Sequence, residues 1–145
     1  MIEYLYKFFS APGSFLSYLN NISFIWNTDG VPVFKSTKSS LWPVLYTINV
    51  LPFYDRVKNE NILISGLWYG ECHPNMLTFL SPQMETLNDI KINGVKINDQ
   101  VLIKGMVLCG TFDMPSKASV LNFLQFNAFY GCPKCLQVYV PQNPH

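Results

Sequence analysis

Charge is scarce in this chain: only 13% of its 145 residues are Asp, Glu, Lys or Arg, against roughly 25% in an average soluble protein. A surface so poor in charge is either apolar over much of its area or completed by a covering part. No basic cluster stands out either. Ten Lys and Arg residues are scattered along the chain and leave a net charge of +1, so composition alone gives none of the electrostatic footprint of a nucleic-acid binder. Long apolar runs are absent too. The N-terminal stretch leans apolar, but Glu3, Lys7 and the Ala11-Pro12-Gly13 break interrupt it long before the roughly 20 residues that a membrane span needs. It reads as a short aromatic helix packing on the domain, or as a ragged start. The four cysteines, Cys72, Cys109, Cys132 and Cys135, form no obvious disulfide framework and follow no secretory leader, so a reducing intracellular setting is expected.

What the chain does have is apolar and aromatic content, 49% hydrophobic and 15% aromatic, enough for one domain with a real core. Residues 22–26 are β-branched and aromatic and end in Asn27-Thr28-Asp29-Gly30, a strand running into a turn that glycine permits. Residues 41–51 form a second strand, with Pro43 placing it near an edge or a bulge. Residues 61–69 form a third, and short polar connections make the three an antiparallel meander. Apolar residues Met76, Leu77, Leu80, Met84, Leu87 and Ile90 recur at mostly helical spacing, predicting a covering helix over 74–90, perturbed by Pro82.

Asn93-Gly94, flanked by alternating apolar residues, predicts a hairpin turn over 92–99. Residues 101–108 are nearly all apolar, as in a strand buried on both faces, and lead to Asp113. Pro115 then suits the first turn of a second helix. The expected fold class is α/β: three antiparallel strands, a helix, a hairpin, a further strand and a helix.

Chemistry with two divalent cations needs carboxylates delivered from different strands to one place, because the cations must share a phosphate. Of nine acidic residues, only Asp29 and Asp113 close strong apolar strands. If those strands are neighbours, both carboxylates reach the same sheet edge. Each also has a purely structural role open to it, Asp29 as a turn residue before glycine and Asp113 as a helix N-cap.

Several blocks narrow the choice. Thr28-Asp29-Gly30-Val31-Pro32, Lys35-Ser36 with Ser40-Leu41-Trp42-Pro43, Asp113-Met114-Pro115, and Phe126-Asn127 with Tyr130-Gly131-Cys132 occur in this order. Together with NILISGLWYG they resemble the transposase domain of the CACTA (En/Spm-like) DNA transposase family, from about Asn27 to Cys135. The resemblance implies the N-terminal part of an RNase H-like DDE core, with Asp29 and Asp113 as catalytic and metal residues holding Mg²⁺ or Mn²⁺ for DNA strand cleavage and transfer. It further implies DNA as partner and the nucleus as location. The implied division is an aromatic segment over 1–20, a partial catalytic core over 21–131, truncated before its last strand and helix elements, and the start of a Cys-x-x-Cys insertion over 132–145. The family's third acid, a glutamate, lies far downstream of that block, whereas no Asp or Glu follows Asp113 here. On this reading the chain alone is catalytically inactive.

Cys132-Pro133-Lys134-Cys135 has zinc-knuckle spacing, but only His145 follows it, which is short of four ligands. Free thiols fit best, ahead of Zn²⁺ completed by ligands from outside the chain and of a redox pair. His73 is placed in the loop after the third strand, with a metal role as the lesser alternative, and Trp26, Trp42 and Trp68 are expected to pack rather than stack on bases. Lys35, Lys38 and Lys117 flank the acids and either meet phosphates, Lys35 and Lys117 foremost, or remain solvated. Two functions therefore compete: a transposase-derived fragment, and a domesticated binding or scaffold module that keeps the fold without the chemistry and pairs with itself or with a transposase partner. No membrane role is expected of either.

Overall fold

In a computed structural model, the described residues are 2–33, 39–125, 128, 130 and 131. Lys35, Lys38, Phe126, Asn127, Cys132, Cys135 and His145 lie outside them, and with them the expected zinc half-site. Helix α1 (Ile2–Phe9) is followed by strands β1 (Asn21–Thr28), β2 (Val31–Pro32) and β3 (Ser40–Ile48). Next come the short helix α2 (Phe53–Arg56), strand β4 (Ile62–Gly70), helix α3 (Met76–Ile92), strands β5 (Val95–Asn98) and β6 (Val101–Gly110), and helix α4 (Met114–Val120). The fold is mixed α/β, in the order read from the sequence.

The sheet is built around β3 and β1. Strand β3 pairs antiparallel with β1, with Thr28 opposite Val44, and antiparallel with β4, with Trp42 opposite Trp68. Strand β6 joins β1 in parallel, Trp26 lying opposite Gly110. The condition for bringing Asp29 and Asp113 together is thereby met. Strands β2 and β4 both pair with Ser40 and Leu41, so they lie on opposite edges of β3, and β2 continues β1 in the same register past a break at Asp29-Gly30, where a turn was expected.

Strand β3 is interior, not an edge, despite Pro43. On its β1 side the ladder stops at Val44 and resumes at Leu41 with β2. Pro43, which cannot donate a ladder hydrogen bond, falls in that gap. A register shift between Val44 and Leu45 against β4 supplies the bulge that the proline also suggests.

Alternation along β3 buries Trp42, Val44 and Tyr46 on one face, the period of two that a half-covered strand requires. Phe24 from β1 joins them, and Met76 and Leu80, four residues apart on α3, close the core. The helix runs unbroken through Pro82. Asn75 caps its start, its side chain accepting a hydrogen bond from the Thr78 N–H at 3.1 Å. Between α3 and the sheet a cavity of about 260 Å³ persists, bordered by Phe24, Tyr46, Leu63, Gln83 and Ile90 among others.

Two further local expectations are corrected. Asn93-Gly94 is not the hairpin turn: Asn93 ends α3 and Gly94, at φ +76°, takes the left-handed conformation that commonly follows a helix. The β5–β6 hairpin turns at Asp99-Gln100 instead, where Asn98 Oδ1 accepts from Gln100 N and Val101 N at 3.1 and 2.9 Å. Strand β6 is also half-buried for most of its length, with only Gly105 and Leu108 fully buried. The N-terminal aromatic helix forms as α1, but Tyr4 and Phe8 are exposed.

Candidate functional site

Asp29 stands one residue past the end of β1, and Asp113 three past the end of β6. The two strand ends are fastened to each other. Thr111 N donates to Trp26 O at 2.9 Å, and Asn27 Nδ2 donates to Thr111 O. The Trp26 and Phe112 rings meet edge to face at 4.8 Å, so the residue just before Asp113 is packed against the strand that leads to Asp29.

One of the two structural roles foreseen for the acids is realised: Asp113 caps a helix, whereas Asp29 stands at a break between two strands that keep one register against β3 and not in the expected turn. Asp113 is the N-cap of α4, its Oδ1 accepting from Ser116 N at 2.7 Å, with Pro115 in the first turn. The hydroxyl of the same Ser116 donates to Asp29 Oδ1 at 2.6 Å, and Gly30 N donates to that oxygen at 2.7 Å. Ser116, only 1% exposed, thus bridges the two carboxylates. In both acids Oδ1 is engaged, and among the described residues Oδ2 makes no hydrogen bond.

Trp42 forms the floor. It is 3% exposed, its indole Nε1 donates to Ser40 Oγ at 3.1 Å, and it lies so close to the strand break that a Cβ on Gly30 would come within 2.6 Å of the indole. A side chain at position 30 would displace either the indole or the Asp29 backbone. On its other side the indole meets the His73 ring edge to face, centroids 5.2 Å apart.

These groups surround an open cleft of about 380 Å³ bordered by Asp29, Asp113, Ser116, Trp42, Glu71 and His73, together with Gly30, Pro32, Ser39, Ser40, Pro115, Ser119 and Gln125. A larger groove of about 810 Å³ between α3 and α4 adjoins it and shares His73. Among the described residues bordering the cleft there is no Lys or Arg. Lys117 follows Ser116 on α4 but is not part of the cleft wall. Trp26 and Trp42 pack as expected, whereas Trp68 on β4 is 39% exposed.

The donor set suits a hard divalent cation. Mg²⁺ is commonly held by one or two carboxylates, the rest of its shell being water and substrate phosphate, and two Oδ2 atoms on adjoining strand ends, without a hydrogen bond among the described residues, match that need. Among the described residues no three His, Cys, Asp or Glu side chains converge to hold a metal, so Glu71, though in the cleft, is not a third ligand as it stands. Sequence reasoning missed Ser116, Glu71 and His73 as members of the site. Only Ser116 had a local signal, the third position after an N-cap aspartate.

A comparison with curated proteins and one with solved structures each find no match. The model of transposase family tnp2, by contrast, matches residues 6–141. That match takes in both acids, the Trp42 floor and α4, and spans nearly the whole sequence. The chain belongs to transposase family tnp2.

Proposed function

We propose that the cleft is the carboxylate half-site of a DDE-type, CACTA-like DNA transposase on an RNase H-like sheet. The observation that carries the proposal is the Ser116 bridge between Asp29 and Asp113, each with an Oδ2 that makes no hydrogen bond among the described residues. The antiparallel β4–β3–β1 unit extended by a parallel β6 supports the fold assignment. A phosphodiester cannot approach two carboxylates unaided, because like charges a few ångströms apart in a partly shielded cleft repel by several kcal/mol. Mg²⁺ or Mn²⁺ bound there would offset that repulsion and activate the attacking oxygen.

On this reading the chain's own residues hold geometry. Ser116 fixes the spacing of the acids, Gly30 N polarises Asp29, and Trp42 prevents the Asp29-Gly30 break from collapsing into the cleft. The substrate is DNA, and the nucleus is the compartment in which it is met. The competing reading, a binding or scaffold module without chemistry, draws on the exposed apolar residues of β4, Ile64 at 68%, Leu67 at 59% and Tyr69 at 60%.

Fluorescence anisotropy of a labelled DNA duplex with a single-stranded branch separates the two readings. Binding by the chain should strengthen about tenfold or more on adding Mn²⁺, and Asp29→Asn should remove that increment while leaving the fold intact. Binding that ignores Mn²⁺ would support the scaffold reading.

A further inference from the structure

One side chain in the cleft has a chemistry that the carboxylate pair does not use. The His73 ring is exposed, borders the same cleft as Asp29 and Asp113, and its nitrogens make no hydrogen bond within the described residues. Its ring is nonetheless held in place. It packs edge to face on Trp42, the rigid indole that also packs on Gly30. A single buried side chain therefore sets the position of the imidazole relative to the Asp29-Gly30 break. Pro74, buried immediately after it, restricts the backbone of His73 to extended conformations, and Asn75 then starts α3.

We infer that His73 is a phosphate-contacting residue of this site, its imidazole N–H donating to a non-bridging oxygen of the DNA strand whose phosphodiester lies over Asp29 and Asp113. The inference rests on the carboxylate-pair reading given above. Among the described residues bordering the cleft, which include no Lys or Arg, His73 offers a ring N–H suited to a phosphate oxygen. An imidazole donates in either protonation state, so it orients a phosphate without needing a permanent positive charge beside the cation-binding carboxylates. Ser116 Oγ is committed to Asp29 and Ser119 Oγ to Pro115 O at 3.1 Å, whereas the His73 ring makes no hydrogen bond among the described residues. His73 also stands where the cleft opens into the α3–α4 groove, on the path of a strand entering from that side.

The alternative is that His73 merely packs on Trp42, and two substitutions have opposite consequences under the two roles. His73→Phe keeps an aromatic ring against the indole and removes the donor. His73→Asn keeps a donor and removes the ring.

With the whole chain, Mn²⁺ and the labelled branched duplex, His73→Phe should weaken binding about tenfold with an unchanged melting temperature. His73→Asn should stay within about threefold of the unsubstituted chain. Equal binding by His73→Phe, or a greater loss in His73→Asn than in His73→Phe, would overturn the inference. If the unsubstituted chain binds with the Mn²⁺ increment and Asp29→Asn abolishes it while His73→Phe does not matter, this inference alone falls. If no Mn²⁺ increment exists at all, the carboxylate-pair reading falls first and takes the inference with it.

Discussion

The end of the sheet that carries the acids and the flank formed by β4 and α3 are built to different standards. At the acid end Trp42 and Val44 are 3% and 0% exposed, and Ser116 is 1% exposed with both of its donors used. At the flank a cavity of about 260 Å³ lies under α3, and β4 turns Ile64, Leu67 and Tyr69 to solvent. Buried side chains close the acid end beneath its cleft while apolar side chains of β4 stay uncovered, so the flank is the less completely covered of the two. The difference teaches that the most deeply buried side chains of this domain lie beneath the strand ends that carry Asp29 and Asp113.

The largest expected effect of breaking that contrast is at Trp42. Trp42→Ala removes the floor shared by Gly30 and His73 and should cost about 3–5 kcal/mol in urea unfolding, with loss of the Mn²⁺-dependent DNA binding. A cost below about 1 kcal/mol would mean that the acid end is no tighter than the flank.

A smaller effect is expected from Tyr46, which borders the flank cavity. Burial pushes its phenol above the ordinary value of 10.0, and Ser65 opposes this to a lesser degree. The folded chain therefore keeps the proton after the unfolded chain has lost it. The associated stability is fully present below about pH 10 and is lost as pH rises through the folded value. Stability of the unsubstituted chain should fall more steeply than that of Tyr46→Phe as pH rises above about 10. Parallel curves would mean that the cavity admits water freely to the phenol.

The same contrast explains what was legible in the sequence. Asp29 and Asp113 were found because their signals are local, an apolar strand followed by Asp-Gly in one case and by Asp-Met-Pro in the other. Their convergence needed one further fact, that β6 lies beside β1, which no local pattern encodes. Ser116 was readable as a helix residue but not as the bridge, since its hydroxyl partner is 87 residues away.

His73 and Glu71 lie in a turn whose place over Trp42 depends on how β4 pairs with β3, so only the tertiary fold brings them to the cleft. Asn93-Gly94 misled for the opposite reason: the pair suits both a hairpin turn and a helix end, and the 17-residue helix before it decided the outcome. Pro43 pointed to an edge because a sequence cannot show a gap between two partners on one side of a strand.

The central claim is that Asp29 and Asp113 together hold a divalent cation, and Mn²⁺ binding followed by electron paramagnetic resonance tests it most directly. The asparagine variants suit this purpose because Asn caps a helix about as well as Asp and retains a carbonyl acceptor for Ser116. Titration of the chain into Mn²⁺ should diminish the free-ion signal, and Asp29→Asn and Asp113→Asn should each restore it while melting at about the same temperature as the unsubstituted chain. An undiminished signal with the unsubstituted chain at millimolar concentration, or equal binding by both variants, would contradict the account.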